Sequence, residues 1–338
     1  DFCLSSLFVW LPLPALRPPP YTEYMSVQGC SGVKLVKKEE SVRKRGEVYG
    51  TIGAMNIIDE IKKEFEIPGA YESWAEYRAS VTDLILVSAS TGSIALFGIG
   101  PANDIDLRRL SERFGRITLI DLDRESMERG LVRYGLQHCP KVELWDASLS
   151  GVTLEDVAAF FETLYDQVVR SGQALTEAAF MEMSLAALER IRRKVVSSRE
   201  ELRAKLPAEH YDLVVSVGLH SQFWSILSYS WLTLAGNVEE QLLGHAINHD
   251  PFFEALRAID DAFIPMLNEV LLSMGDRAII AVEEDEANPV EGAFQSMQDI
   301  RQRYPEVQEK RLHWPFRPED GKSYEMLFQI IGQTKVEH

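Results

Sequence analysis

The sequence predicts an α/β chain: a Rossmann-like, doubly wound, mostly parallel sheet with a C-terminal antiparallel strand pair and helical insertions. Three observations carry that prediction. Apolar runs of strand length, "SIALFGIG" (93–100), "RITLIDLD" (116–123) and "KVELWDA" (141–147), alternate with helical stretches, and strands spaced by helices pair in parallel with helices on both faces. The first run ends in "GIGPANDIDL", where two glycines separated by one residue precede a proline and aspartates, as in a turn from strand to helix. Near the C-terminus "EKRLHWPF" and "YEMLFQIIGQTK" are joined only by "RPEDGKS", a nearly direct connection that makes neighbouring strands antiparallel.

The 338 residues, 46% apolar and 26% charged, are ordinary for a globular chain and allow one large domain or two small ones. Asp and Glu number 52 against 35 Lys and Arg, for a formal charge of -17. That charge repels a phosphate backbone, so nucleic acid is not expected as a partner. Cys3, Cys30 and Cys139 are scattered without a C-x-x-C pair. This pattern suggests neither a disulfide framework nor a zinc knuckle and fits a reducing, cytoplasmic setting. "CLSSLFVWLPLPAL" lacks a basic flank, carries two prolines and is too short to span a bilayer. No membrane partner is expected.

In chain order, residues 1–54 read as a poorly ordered leader of loop and charge runs. Residues 55–92 read as an N-terminal helical cover. Ile57, Ile58, Ile61 and Phe65 recur at helical spacing, and "PGAYESWAEYRASVTDLILVSA" gives a second helix with Tyr71, Trp74 and Tyr77 on a shared face. The Rossmann-like domain is predicted over 93–338. "DIDLRRLSERFG" and "RESMERGLVRYGL" are its first helices, and "YDLVVSVGL" and "RAIIAVEE" its fourth and fifth strands. Those two strands follow interruptions far longer than an ordinary connection, which are read as helical insertions at about 152–208 and 221–273, placed where they could cover a pocket. The first opens on a Thr153-x-x-Asp156 capping box and contains a second candidate box, Ser198-x-x-Glu201. "PVEGAFQSMQDIRQRY" is the last predicted helix.

The chemistry gathers at the glycine turn, where a helix N-terminus with unpaired N–H groups favours negative or polar ligand atoms. Gly98 and Gly100 let the backbone approach a ligand that a Cβ would push away. Pro101 suits a first helical turn, with Asn103 or Asp104 as its cap. Asp121 ends the second strand, 23 residues after Gly98, where a carboxylate can accept from both hydroxyls of a ribose. It could instead cap the next helix, a task Asp123 could also perform. Asp146 ends the third strand, within reach of an adenine edge or as a plain loop aspartate.

In these residues the chain resembles the class I S-adenosylmethionine-dependent methyltransferases, from about Ser93 to Lys335. The resemblance rests on "FGIGPAND", "LIDLD", "VELWDAS", "YDLVVSVGLHSQF" and the final "HWPF…YEMLFQIIGQT" pair. It implies S-adenosyl-L-methionine as cofactor, its nucleoside over Gly98 and Gly100, Asp121 on the ribose, Asp146 and Ala147 beside the adenine, and Asn103 and Asp104 in the turn. It also implies methyl transfer, here to a small-molecule acceptor. Two positions depart from the family pattern: Leu96 stands where an acidic residue is usual, and Ala102 where a third glycine is. Either could alter how the methionine end is held, with Asp104 as a substitute. "GIGPANDIDL" also resembles nicotianamine synthase, which implies aminocarboxypropyl transfer from the same cofactor as an alternative; a non-catalytic nucleoside-binding module is another. NAD(P) fits less well, because Asn103 occupies a position where the dinucleotide fingerprint has Gly or Ala.

Methyl transfer needs alignment more than covalent help, with a base where the acceptor must lose a proton. His220, just past the fourth strand, is the candidate base; a His bonded within the pocket wall is the plainer reading. Tyr71, Trp74, Tyr77 and Phe223 are candidate substrate-binding residues, able to close over the cofactor or clasp a cationic acceptor, or else to form an ordinary core stripe. His245 and His249 stand four apart before Asp250. Asp250-Pro251 reads as a helix start, so no metal site is expected. The basic run Arg190 to Lys194 reads as a solvated helix face.

Overall fold

The computed structural model describes residues 11–12, 31–32, 61, 63, 66–89, 91–198, 201–284 and 290–332. Apart from the antiparallel pair Leu11–Pro12 and Ser31–Gly32, the predicted leader over 1–54 lies outside the described residues, as does most of the helix predicted from Met55. By compactness the chain divides into two units.

The larger unit comprises 67–151, 195–223 and 259–338 and carries a seven-stranded sheet. Its strands are β1 (Ser93–Phe97), β2 (Arg116–Asp121), β3 (Val142–Asp146), β4 (Leu213–Val217), β5 (Arg277–Glu284), β6 (Gln308–Arg317) and β7 (Lys322–Gly332). They lie in the order β3-β2-β1-β4-β5-β7-β6. The first five pair in parallel, while β7 runs antiparallel between β5 and β6. This is the mostly parallel, doubly wound Rossmann-like sheet with an antiparallel C-terminal pair that the apolar runs predict.

The two-residue side-chain alternation sends Ile94 and Leu96 of β1, Ile117 and Leu119 of β2, Leu213 and Val215 of β4 and Ile279 of β5 into one core. That core includes Val81, Leu84 and Ile85 from α2 (Ala75–Ser88), Leu107 and Leu110 from α3 (Leu107–Arg113), and Met127 and Leu131 from α4 (Arg124–Tyr134). On the opposite face, Gln329 of β7 donates to the Met297 carbonyl of a later helix (Ala293–Arg303). Helices therefore flank both faces.

The predicted helix over 68–89 is broken: α1 (Ala70–Ser73) ends at Trp74 and α2 begins at Ala75. Asp123 caps α4 by accepting from the Ser126 N–H, so the capping role considered for Asp121 belongs to Asp123.

The second unit comprises 1–66, 152–194 and 224–258. Within it α5 (Leu154–Ser171) opens on the predicted Thr153–Asp156 capping box. Trp231 of α8 (Ser225–Val238) is fully buried, stacked on Phe252 with centroids 4.0 Å apart, and donates to Ser184 Oγ of α6 (Glu177–Ser198). The second predicted capping box does not form. Ser198 is the last residue of α6, its hydroxyl bonds back to Ser150 and Val195 carbonyls, and the short α7 (Leu202–Lys205) has Glu201 as its N-cap. Arg192 and Arg193 pair with Glu189 on an exposed helix face. A further helix, α9 (Asp250–Ser273), begins in this unit and ends in the larger one, where α10 (Ala293–Arg303) follows β5.

Candidate active site

The C-terminal ends of β1 and β2 meet at the glycine turn, beside the point where the strand order reverses from β1 to β4. Open α/β sheets bind ligands at such switch points. The Gly98 N–H donates to the Ile120 carbonyl and the Gly100 N–H to Asp121 Oδ2, at 2.8 Å each, which ties the turn to the end of β2. Asp121 Oδ1 accepts from the Asp123 N–H at 2.8 Å. Burial raises the Asp121 carboxyl above its ordinary range, against these backbone bonds that lower it. Asp146 is the register partner of Asp121 on β3 and is exposed, and the next residue's amide, Ala147 N–H, donates to the Asp121 carbonyl.

The two glycines do different work. At Gly100, φ is +48° and a Cβ would point into open space, so a ligand can approach that backbone. At Gly98, φ is +67° but a Cβ would lie 2.6 Å from Leu219 Cδ1. The space beside Gly98 on that side is taken by the loop after β4. Ala102 is the one described non-glycine residue with positive φ, at 53°, so the third position of the turn keeps a left-handed backbone without glycine.

The helix start expected at Pro101 is also corrected. The helix α3 begins at Leu107, capped by Asp106, whose carboxylate accepts from the Arg108 and Arg109 N–H groups. Outside contacts hold 101–105 away from helical geometry. Arg78 Nη1 donates to the carbonyls of Tyr71 and Asn103, Arg133 Nη1 to the Pro101 carbonyl and Asn103 Oδ1, and the Tyr134 hydroxyl lies 3.1 and 2.9 Å from the Ala102 and Ile105 carbonyls. Neither Asn103 nor Asp104 caps a helix. Tyr71 is held between the Arg78 and Arg133 guanidiniums, 3.9 and 4.5 Å from its ring centre.

Trp74 and Tyr77 sit in an aromatic group with Trp314, Phe316 and Tyr324 of the β6–β7 pair, and Trp74 Nε1 donates to the Phe316 carbonyl at 3.2 Å. Tyr77 is 3% exposed, and its hydroxyl has no hydrogen-bond partner among the described residues. Asp104 is half-buried, and desolvation raises its carboxyl to about 7. Phe223 packs edge-on against Phe263 at 4.9 Å.

His220 follows β4 and is buried. Its tautomer follows from its neighbours. Asp299 Oδ2 can only accept, so Asn268 donates to it through Nδ2 and presents Oδ1 to His220 Nε2 at 2.9 Å. The Nε2 nitrogen therefore carries the proton. Nδ1 is left with a lone pair and no partner among the described residues, and burial lowers the imidazole to about 4. Asn268 and Glu283 were missed in sequence. Asn268 lies inside a long amphipathic helix with no motif, whereas Glu283, 3% exposed at the end of "RAIIAVEE", is an acid closing a fully buried run and could have been read as such. His249 bonds Glu239 at 3.0 Å, and among the described residues no cluster of three or more potential ligands could hold a metal ion. No described helix is long and apolar enough to cross a membrane.

No family model and no curated protein matches the chain. Solved structures similar to it include the O-methyltransferase TomG from Streptomyces achromogenes in complex with SAM, at 11% identity over 93% of this chain and 96% of that one, with a TM-score of 0.38. The N-methyltransferase NodS from Bradyrhizobium japonicum in complex with S-adenosylhomocysteine is similar at 10% identity, over 82% and 97%, with a TM-score of 0.39. A SAM-dependent methyltransferase from Aquifex aeolicus is similar at 10%, over 81% and 98%, with a TM-score of 0.37. Likenesses of this degree carry no chemistry to this chain.

Proposed function

We propose that this protein is a class I S-adenosylmethionine-dependent methyltransferase that acts on a small-molecule acceptor in the cytoplasm, with the segments about 152–208 and 221–273 as helical insertions. The observation that carries the reading is the Gly100–Asp121 pair at the sheet's switch point. A carboxylate offers about four acceptor positions, and Asp121 uses one on each oxygen for a backbone N–H, which leaves capacity for two ribose hydroxyls. The open space where Gly100 lacks a Cβ suits the same ligand. Asp146 and Ala147, one strand over, would flank its adenine, and Asn103 and Asp104 would lie on its methionine side.

When bound, S-adenosylmethionine supplies an electrophilic methyl whose leaving group is a neutral thioether. The chain's own task is then orientation and proton removal. Neutral His220, with its Nε2 proton held by Asn268, offers Nδ1 as a base above about pH 4. The retained left-handed backbone at Ala102 supports an intact turn despite the missing glycine.

Calorimetric titration with S-adenosylmethionine, S-adenosylhomocysteine and NAD tests the reading. Micromolar binding of the first two, weakened at least about tenfold by Asp121→Ala, is expected. NAD binding alone, or silence from all three, would sink it.

A further inference from the structure

A chain of four side chains runs from the surface to the His220 imidazole, and its two outer members fix the polarity of the two inner ones. Arg303, exposed at the end of α10, has only donors. Its Nε donates to Asp299 Oδ1 at 2.8 Å and its Nη2 to the Pro265 carbonyl at 3.3 Å. Asp299, as the carboxylate paired with Arg303, has only acceptors, and its Oδ2 takes the Asn268 Nδ2 donor at 2.9 Å. Asn268 is fully buried and by itself ambivalent: turned over, its amide would offer His220 a donor in place of an acceptor. Ser296 Oγ, 3.2 Å from Asn268 Oδ1, permits either orientation, because a hydroxyl donates or accepts. The imidazole does not choose either, since each of its nitrogens can play both roles and Nδ1 meets no partner among the described residues. The choice is therefore made at Asp299. Both ends of the chain are held by one helix: a Cβ at Gly292, the N-cap of α10, would lie 2.1 Å from the His220 carbonyl, and Asp299 lies further along α10.

We propose that Asp299 is a positioning residue which, through Asn268, places the His220 proton on Nε2 and the lone pair on Nδ1. The catalytic consequence rests on the methyltransferase reading, in which that lone pair meets the O–H or N–H of the acceptor; the relay itself does not need it. Asp299→Asn nearly preserves shape and reverses the chain. Arg303 Nε requires an acceptor, so the new amide turns its oxygen to Arg303 and its nitrogen to Asn268. Asn268 answers with Oδ1 and brings Nδ2 to His220. His220 Nε2 must then accept, and the single ring proton moves to Nδ1. Adding Asn268→Asp supplies a group that accepts from both sides, and the proton returns to Nε2.

The test is 15N NMR of the imidazole rings in the full chain labelled at histidine, at pH 7, with the His220 signals identified by their loss in His220→Gln. His220 is neutral there, since burial lowers it to about 4, so each ring nitrogen reads as protonated or bare. Nε2–H is expected to dominate in the wild type by about tenfold or more, Nδ1–H to dominate in Asp299→Asn, and Nε2–H to return in the double variant. A merely structural hydrogen bond would leave the proton on Nε2 in Asp299→Asn, and that result overturns the proposal. So does Nδ1–H in the wild type or in the double variant, both of which keep the charge of the chain should the single variant fail to fold. Absence of nucleoside binding by calorimetry would end the methyltransferase reading and leave the tautomer result standing, whereas a wrong tautomer would end this proposal and leave the titration standing.

Discussion

At the scale of single residues, two desolvated groups set opposing pH dependences. Asp104 titrates near 3.8 when unfolded and at about 7 in the fold. Between those values the folded chain holds the extra proton, so its contribution falls as pH rises. His220 titrates at 6.5 when unfolded and at about 4 in the fold. There the unfolded chain holds the extra proton, and stability is lost as pH falls through that window. The two slopes offset between about pH 4 and 6.5, each at most about 1.4 kcal/mol per pH unit. Urea unfolding across pH should show a rising profile in Asp104→Asn and a falling one in His220→Gln. Parallel profiles in both variants would refute the assignment.

At the scale of elements, the turn after β1 is shaped by its neighbours as much as by its own glycines. Arg78 on α2 and Arg133 on α4 reach its carbonyls and grip Tyr71 between them. Tyr71, a candidate for the substrate surface or a core stripe, has its ring in this clamp. Tyr71→Phe keeps the ring and should change stability by less than about 0.5 kcal/mol, whereas Tyr71→Leu should lose about 1–2 kcal/mol for two cation–π contacts. Chemical denaturation measures both, and a rise in acceptor KM from Tyr71→Phe would instead return Tyr71 to the substrate site. The same clamp explains why the helix start was misplaced in sequence. Proline and Asn-Asp are local cap signals, but Arg78 and Tyr134 contact residues 102–105 from positions 24 or more residues away.

For the whole molecule, the formal charge of -17 makes a concrete prediction. Short RNA or DNA duplexes should show no mobility shift even at about 50 mM salt, where phosphate contacts are strongest; retention that weakens with added salt would contradict it. The sequence by itself determined the strands, the helices between them, the antiparallel ending and the Asp121 position, because hydrophobic period, turn chemistry and short connections are local properties of the chain. Only the tertiary structure decided that a Cβ at Gly98 would meet Leu219, that Asp106 caps α3 and that Asn268 fixes the His220 tautomer. Those outcomes depend on which distant side chains share a volume, and desolvation that raises a carboxyl or lowers an imidazole is encoded in no local pattern.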